Sequence, residues 1–233
     1  MAANIFSDLY EIIYNNFIDR QFYMLLLQGL GTTLLIALFA TLLGVVLGII
    51  VAVIKVLAAS NKKLKIPEKI CNFYLTFFRG TPVMVQLLIW WLVILPSAPT
   101  MVTAIIGFGV NSGAYVAEIV RAGIMGVDKG QMEAGRSLGF NSTQTMKYIV
   151  FPQAFKNMLP ALCNEFIAPL KETSVAGYVG VMDLTRASSA IRSTTYDPFP
   201  SLIAVALIYL ALVVVLTKFL GRVERKLRES DER

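Results

Sequence analysis

The chain has 233 residues, 21 Lys and Arg against 15 Asp and Glu for a net charge of +6, and no histidine. Apolar residues make up 56% and charged residues only 15%, against about 25% charged in soluble domains, so the apolar excess must meet lipid. The missing histidine removes His triads, His zinc sites and His proton switches.

In chain order, residues 5–17 carry Phe6, Leu9, Tyr10, Ile13 and Phe17 at helical spacing, with Asp8 and Glu11 on the other side. This pattern predicts an amphipathic helix within an extracytoplasmic segment 1–21, either on the outer membrane surface or packed on the bundle. No cleavable signal peptide is expected, because the N-terminus lacks a basic region. Residues 21–54 then run uncharged for 34 positions between Arg20 and Lys55, more than the roughly 20 needed to span hydrocarbon. Gly44 and Gly48 form a GxxxG within this stretch.

Residues 80–117 are uncharged over 38 positions, broken at Leu95-Pro96-Ser97-Ala98-Pro99, where two prolines forbid a continuous helix. Residues 148–171 are less clean, with Lys156, Glu165, Lys171 and three prolines. Residues 198–217 give 20 more uncharged positions. The expectation is an all-α integral membrane protein with five transmembrane helices, about 22–55, 67–95, 100–124, 149–171 and 199–221. Cys71 and Cys163 lie in apolar stretches without metal-ligand spacing and read as small buried residues.

Positive charge orients the set. The loop 55–69 holds Lys55, Lys62, Lys63, Lys65 and Lys69. The segment 121–147 holds Arg121, Lys129, Arg136 and Lys147. The tail holds Lys218, Arg222, Arg225, Lys226, Arg228 and Arg233, and the three groups hold 15 of the 21 Lys and Arg. Five spans place all of them in the cytoplasm, with a basic tail over 222–233. The N-terminus, the 96–99 turn and the 172–198 loop then face outside. This bias accounts for the net charge, and no nucleic-acid partner is expected.

Charges at membrane depth cost about 2.5–3.5 kcal/mol each at a helix centre, so they imply a purpose. Arg79 and Gln86 share a face of the second span, and Gly80-Thr81-Pro82 should interrupt its helix. Asn111, Tyr115 and Glu118 share a face of the third. On the fourth, Asn157 and Asn164 are seven apart, as are Glu165 and Glu172, and Pro160 and Pro169 disturb the helix. Broken helices with polar groups at mid-depth are the usual build of a transporter site. Arg79 can hold an α-carboxylate through paired hydrogen bonds. Glu165 or Glu172 can hold an ammonium, and Thr81, Asn111, Thr173 and Ser174 can supply neutral hydrogen bonds. An internal Arg79–Glu165 ion pair is the competing use of those two charges. Glu118 is expected to pair locally with Arg121, and Lys156 to reach the cytoplasmic interface.

Residues 125–150 are long and well patterned for a loop between spans. Gln131 to Leu138 carries helix formers, Gly139 can stop that helix in a left-handed conformation, and Asn141 or Ser142 can cap a second helix running to Ile149. Two short helices meeting at a glycine corner make a knob that can enter a partner's cleft; the plain alternative is an interfacial loop.

Here the sequence resembles a known family. Glu133-Ala134-Gly135, Leu138-Gly139, Ile149 and Phe151-Pro152 are similar to the EAA loop of ABC importer permeases, departing at Gly135 for the second Ala and at Phe151 for Leu. Phe78-Arg79-Gly80-Thr81-Pro82 with Gln86 resembles the second-span signature of the family's polar amino-acid branch. Ser112 to Ile119 with Arg121 to Ile124 resembles the third, and Asn164-Glu165 with Lys171 to Ser174 the fourth. The resemblance covers about residues 20–220.

It implies a type I importer transmembrane domain over 22–221, with its coupling loop at about 126–150, in the bacterial inner membrane. The substrate-binding residues implied are Arg79, Thr81, Gln86, Asn111, Tyr115, Asn164, Glu165, Glu172, Thr173 and Ser174. Glu133, Ala134, Gly135, Leu138 and Gly139 would couple to the ATPase. The chain would move polar or basic amino acids inward by alternating access, paired with a second copy or a paralogue. It would not be an enzyme and would hold no cofactor: no GxxxxGK[ST] phosphate loop occurs, so ATP and Mg would be bound by partner ATPase subunits. An extracytoplasmic binding protein would deliver the solute to the 172–198 loop, with Asp183, Arg186 and Arg192. An ion-driven secondary transporter and an intramembrane enzyme are the rival classes; the knob argues against the first and the lack of a catalytic constellation against the second.

Overall fold

The computed structural model describes Tyr14 and residues 20–58 and 61–229. The amphipathic helix expected over 5–17 and residues 230–233 of the basic tail lie outside the described residues. Every element among the described residues is helical.

Helix α1, Phe22–Ala58, has 37 residues, about 55 Å at helical rise. That exceeds a hydrocarbon layer of about 30 Å, so α1 must tilt or protrude. Helix α2, Lys65–Gly80, and helix α3, Val83–Ile89, follow; α3 continues through a π turn over Trp90–Ile94. Helix α4, Thr100–Met125, starts behind Pro99, whose fixed backbone opens the helix where the double proline ended the previous one.

The main seam lies between α1 and α4, and small residues make it. A Cβ on Gly44 would stand 2.7 Å from Ser112 Oγ, and one on Gly48 2.5 Å from Val116 Cβ. From the other side, a Cβ on Gly109 would stand 2.7 Å from Leu43 Cδ2. The GxxxG of α1 is thus a contact face, closed by glycines on both helices. Beside the seam, the buried ring of Phe108 packs with Ile36, Leu87 and Ala104.

Helix α5, Lys129–Ser137, and helix α6, Ser142–Thr145, form the knob; a π turn over Met146–Val150 joins α6 to helix α7, Phe151–Glu172. A 3₁₀ turn over Thr173–Val179 leads to helix α8, Leu184–Thr195, and helix α9, Pro198–Glu229, completes the bundle. Buried Asp183 caps α8, accepting from the Thr185 and Arg186 amides at 2.9 and 3.1 Å. The Leu184 amide donates to Thr33 Oγ1 at 3.1 Å, tying α8 to α1.

Among the described residues, three helices are long and apolar enough to cross a membrane: α1, α4 and α9 over Pro198–Leu227. The second expected span is interrupted at Gly80-Thr81-Pro82, as its sequence predicts: its two halves are bent by 112°, and counting the pair as one span gives four. The expected fourth span, α7, has 22 residues and the length to cross, but Lys156, Glu165, Lys171 and Glu172 dilute its apolarity. It continues through Pro160 and Pro169, because each proline removes one hydrogen bond without ending the ladder, and α4 and α9 pack alongside.

The knob is built as its residues dictate. Gly139 sits at φ +87°, and the Phe140 and Gly139 amides close on the Gly135 and Arg136 carbonyls at 3.1 and 3.0 Å, a Schellman stop. Asn141 caps α6 in a reciprocal capping box with Gln144, each bond 2.9 Å. Gly135 is buried in the corner: a Cβ there would meet Thr145 Cγ2 at 2.4 Å. Thr145 therefore fills the space an alanine methyl would take, which explains the departure from the EAA pattern. Gly135→Ala should cost about 1–3 kcal/mol by overpacking, and Thr145→Ala on that background should recover most of it, read as thermal stability in detergent. A double variant no more stable than Gly135→Ala would show that the methyl clashes elsewhere.

Candidate functional site

The break between α2 and α3 organises the polar residues. Thr81 is extended, at φ −119° and ψ 149°, the conformation a following proline imposes. Pro82 has no N–H, so the Phe78 carbonyl loses its helical donor. Two side-chain amides replace it: Gln86 Nε2 donates to Phe78 O at 2.9 Å and Asn111 Nδ2 at 3.1 Å. Asn111 Nδ2 also donates to Gln86 Oε1 at 2.9 Å, and Gln86 Nε2 lies 2.8 Å from Thr81 Oγ1 and 3.0 Å from Thr81 O. Thr81 Oγ1 donates to Phe77 O at 2.8 Å. Gln86 and Asn111 are 2% and 3% exposed. Three of the expected site residues thus meet, in a network closed on itself.

Arg79, in the last turn before the break, faces elsewhere. It lines a hollow of about 420 Å³ with Lys55, Asn72, Leu75, Thr76, Gly80 and Glu118. Its guanidinium carbon stands 5.6 Å from the centroid of the Tyr115 ring, within cation–π range. Arg79 Nη1 is 4.0 Å from Glu118 Oε2, and the Arg79 side chain is 42% exposed. Glu118 is held more closely by Arg121, whose Nε donates to its two oxygens at 3.1 and 3.2 Å and whose Nη2 makes a further close contact. The local Glu118–Arg121 pair is as expected from sequence. The Arg79–Glu165 pair is not formed.

Glu165 instead accepts from Ser112 Oγ at 2.8 Å, joining α7 to α4 beside Gly44. Asn164 is exposed and Glu172 half-buried. Thr173 is buried, its hydroxyl donating to Leu170 O at 2.7 Å. Ser174 borders a separate hollow of about 410 Å³ with Gly177, Tyr178, Thr185, Arg186, Ser189 and Arg192. The polar stripes therefore divide among three places: the brace at the break, the Arg79 hollow, and the region around Glu165 and Glu172. In the knob, Glu133, Ala134, Leu138 and Gly139 are exposed, Leu138 by 75%, while Gly135 turns inward.

Sequence reasoning did not bring Lys55 and Glu118 to the Arg79 hollow. Lys55 reads as a loop charge and Glu118 as satisfied by Arg121. The available signal was the shared face of Tyr115 and Glu118, since Tyr115 meets Arg79.

Comparison with known proteins bears on this geometry. Residues 44–229 match the family of binding-protein-dependent transport system inner membrane components. The chain is 37% identical to the arginine transport system permease protein ArtQ of Bacillus subtilis over 215 residues, 88% of this chain and 94% of that one. It is 37% identical to a putative glutamine transport system permease protein GlnP of Rickettsia typhi over 208 residues, 87% and 92% of the two chains. Among solved structures, a chain of an amino acid ABC transporter crystallised with histidines superposes with a TM-score of 0.81 at 39% identity, covering 88% of this chain and 95% of that one. An inward-facing MetNI methionine ABC transporter matches in fold, with a TM-score of 0.75 at 21% identity and 88% and 97% coverage. The bent second span, the glycine-cornered knob and these matches agree: the chain belongs to the family of binding-protein-dependent transport system inner membrane components, as a multi-pass amino-acid ABC transporter permease.

Proposed function

We propose that the chain is the permease of an ATP-driven importer that carries polar or basic amino acids into the cytoplasm. Two ATPase subunits bind ATP and Mg, an extracytoplasmic binding protein delivers the solute, and a second copy or a paralogue completes the pathway. The bundle over 22–221 crosses the membrane five times, α7 included, with 1–21 outside and the basic tail 222–233 inside. The three basic groups then share the cytoplasmic side with the knob.

The observation that carries this reading is the knob. It is a capped, glycine-cornered elbow joined directly to α7, and it offers Glu133, Ala134 and Leu138 outward. A bundle driven by an ion gradient has no need of such a protrusion. Motion of a docked ATPase would pass through the elbow into α7 and α4, which pack on each other. The relatives named for arginine and glutamine transport support the solute class.

Within the pathway, Arg79 serves the solute's carboxylate, beside Tyr115. Glu165 and Glu172, with Asn164 and Ser174, serve its ammonium or a basic side chain. Gln86, Asn111, Thr81 and Thr173 are committed to backbone carbonyls and hold the frame.

The test is uptake into proteoliposomes containing permease, ATPase and binding protein. Uptake should require internal or external ATP, according to which side the ATPases face. Gly139→Val places a β-branched residue at a positive φ, and it should leave ATP hydrolysis but lose most of the uptake driven by it. Uptake undiminished without nucleotide would return the chain to the ion-driven class.

A second measurement separates frame from pathway. Asn111→Ala takes the donor from Gln86 Oε1 and Gln86→Ala takes one from the Thr81 carbonyl, and either leaves Phe78 O one donor of its two, a cost of about 1–3 kcal/mol. Each should lower the thermal stability of the complex while the surviving fraction keeps the wild-type KM. A raised KM at unchanged stability would make these residues solute ligands.

A further inference from the structure

The hollow beside the break has a charge arrangement that suggests how a carboxylate is taken up and released. Its lining carries two cations, Lys55 and Arg79, and one carboxylate, Glu118. That carboxylate is already engaged by Arg121, through two hydrogen bonds and a closer contact. Arg79 reaches it only at 4.0 Å, and Arg79 makes no hydrogen bond among the described residues. The Tyr115 ring supports the guanidinium and leaves its N–H edges available for a forked pair with a planar carboxylate. Asn72, Thr76 and Arg79 lie on one face of α2, at i, i+4 and i+7, and all three are exposed. A Cβ added to Gly80 would meet nothing within 4 Å, so no side chain fills the space beside Gly80 in the lining.

Given the transport reading above, we propose that Arg79 exchanges carboxylates: it rests against Glu118 when the hollow is empty and pairs with the α-carboxylate of the solute when it is filled. Lys55 is the second cation of this site. The exchange costs little, because a solvent-facing ion pair at this distance is weak. It orphans no charge, because Glu118 stays on Arg121. The same arrangement favours release, since Glu118 remains beside Arg79 to retake it as the solute leaves. Glu118 is thus an internal competitor, a role distinct from a brace.

The test is equilibrium binding to the purified permease–ATPase complex without the binding protein. The probe is whichever of radiolabelled L-arginine, L-histidine, L-glutamine and L-glutamate the wild-type complex transports. Unlabelled amino acid should displace it, and the α-carboxamide of that amino acid should not. Glu118→Gln should tighten binding about two- to five-fold, the range for a weak competing ion pair no longer present. Arg79→Gln should abolish binding, whereas Arg79→Lys and Lys55→Gln should weaken it. Displacement by the carboxamide as effective as by the amino acid, Glu118→Gln binding no tighter, or Arg79→Gln binding like wild type would each overturn the proposal. Absence of binding to the wild-type complex would overturn it too. ATP-driven uptake by that complex after adding the binding protein would still leave the transport reading standing.

Discussion

One orphaned carbonyl sets much of this architecture. Pro82 cannot donate to Phe78 O, and in an apolar slab no water is at hand to do so. The chain answers with Gln86 from the helix after the break and Asn111 from the neighbouring helix. Because one donor comes from α3 and the other from α4, the two amides do more than satisfy an acceptor. They fix the bend between α2 and α3 against a third helix. The bend in turn leaves Arg79 at the end of α2, facing a hollow rather than packed chain. A continuous second span would have given Phe78 its own donor and left Gln86 and Asn111 without this role.

The α1–α4 seam supports the same point from the other side. Tyr74 of α2 donates to the Val110 carbonyl at 2.6 Å, and a Cβ on Gly113 would stand 2.7 Å from that hydroxyl. Gly113 thus admits Tyr74, while Gly44 admits Ser112, which reaches on to Glu165. Without a hydrophobic force between helices in lipid, such close approach and interhelical hydrogen bonds are what hold a bundle together. Here they fix α1, α2, α4 and α7 to one another around the polar residues.

Much of this was legible in the sequence because it is local. Gly139 as a left-handed stop, Asn141 as a cap, the interruption at Gly80-Thr81-Pro82 and the turn at the double proline each follow from the residues within a few positions. What was not legible was the partner across space. Spacing put Arg79 and Gln86 on one face, yet the bend between them sends one to a hollow and the other to a brace. It likewise offered Glu165 as a mate for Arg79, while Ser112 takes Glu165 and Glu118 lies beside Arg79. Periodicity assigns faces only while a helix is straight. The 112° bend between the halves is where that inference stops.

The division of labour that results has a physical logic. Amides hold the frame because they carry both donor and acceptor and add no net charge to a buried site. In the hollow each charge has another charge near it, as with Lys55, Arg79, Glu118 and Arg121, whereas buried Asp183 is held by backbone amides and Glu165 by Ser112. A charged brace would have paid desolvation at every buried position, and an amide in place of Arg79 would lack the forked, always-ionised donor that a carboxylate selects. The polar residues of this chain thus stand in three places: a neutral brace at the break, a charged hollow beside it, and Glu165, joined to Ser112, on α7.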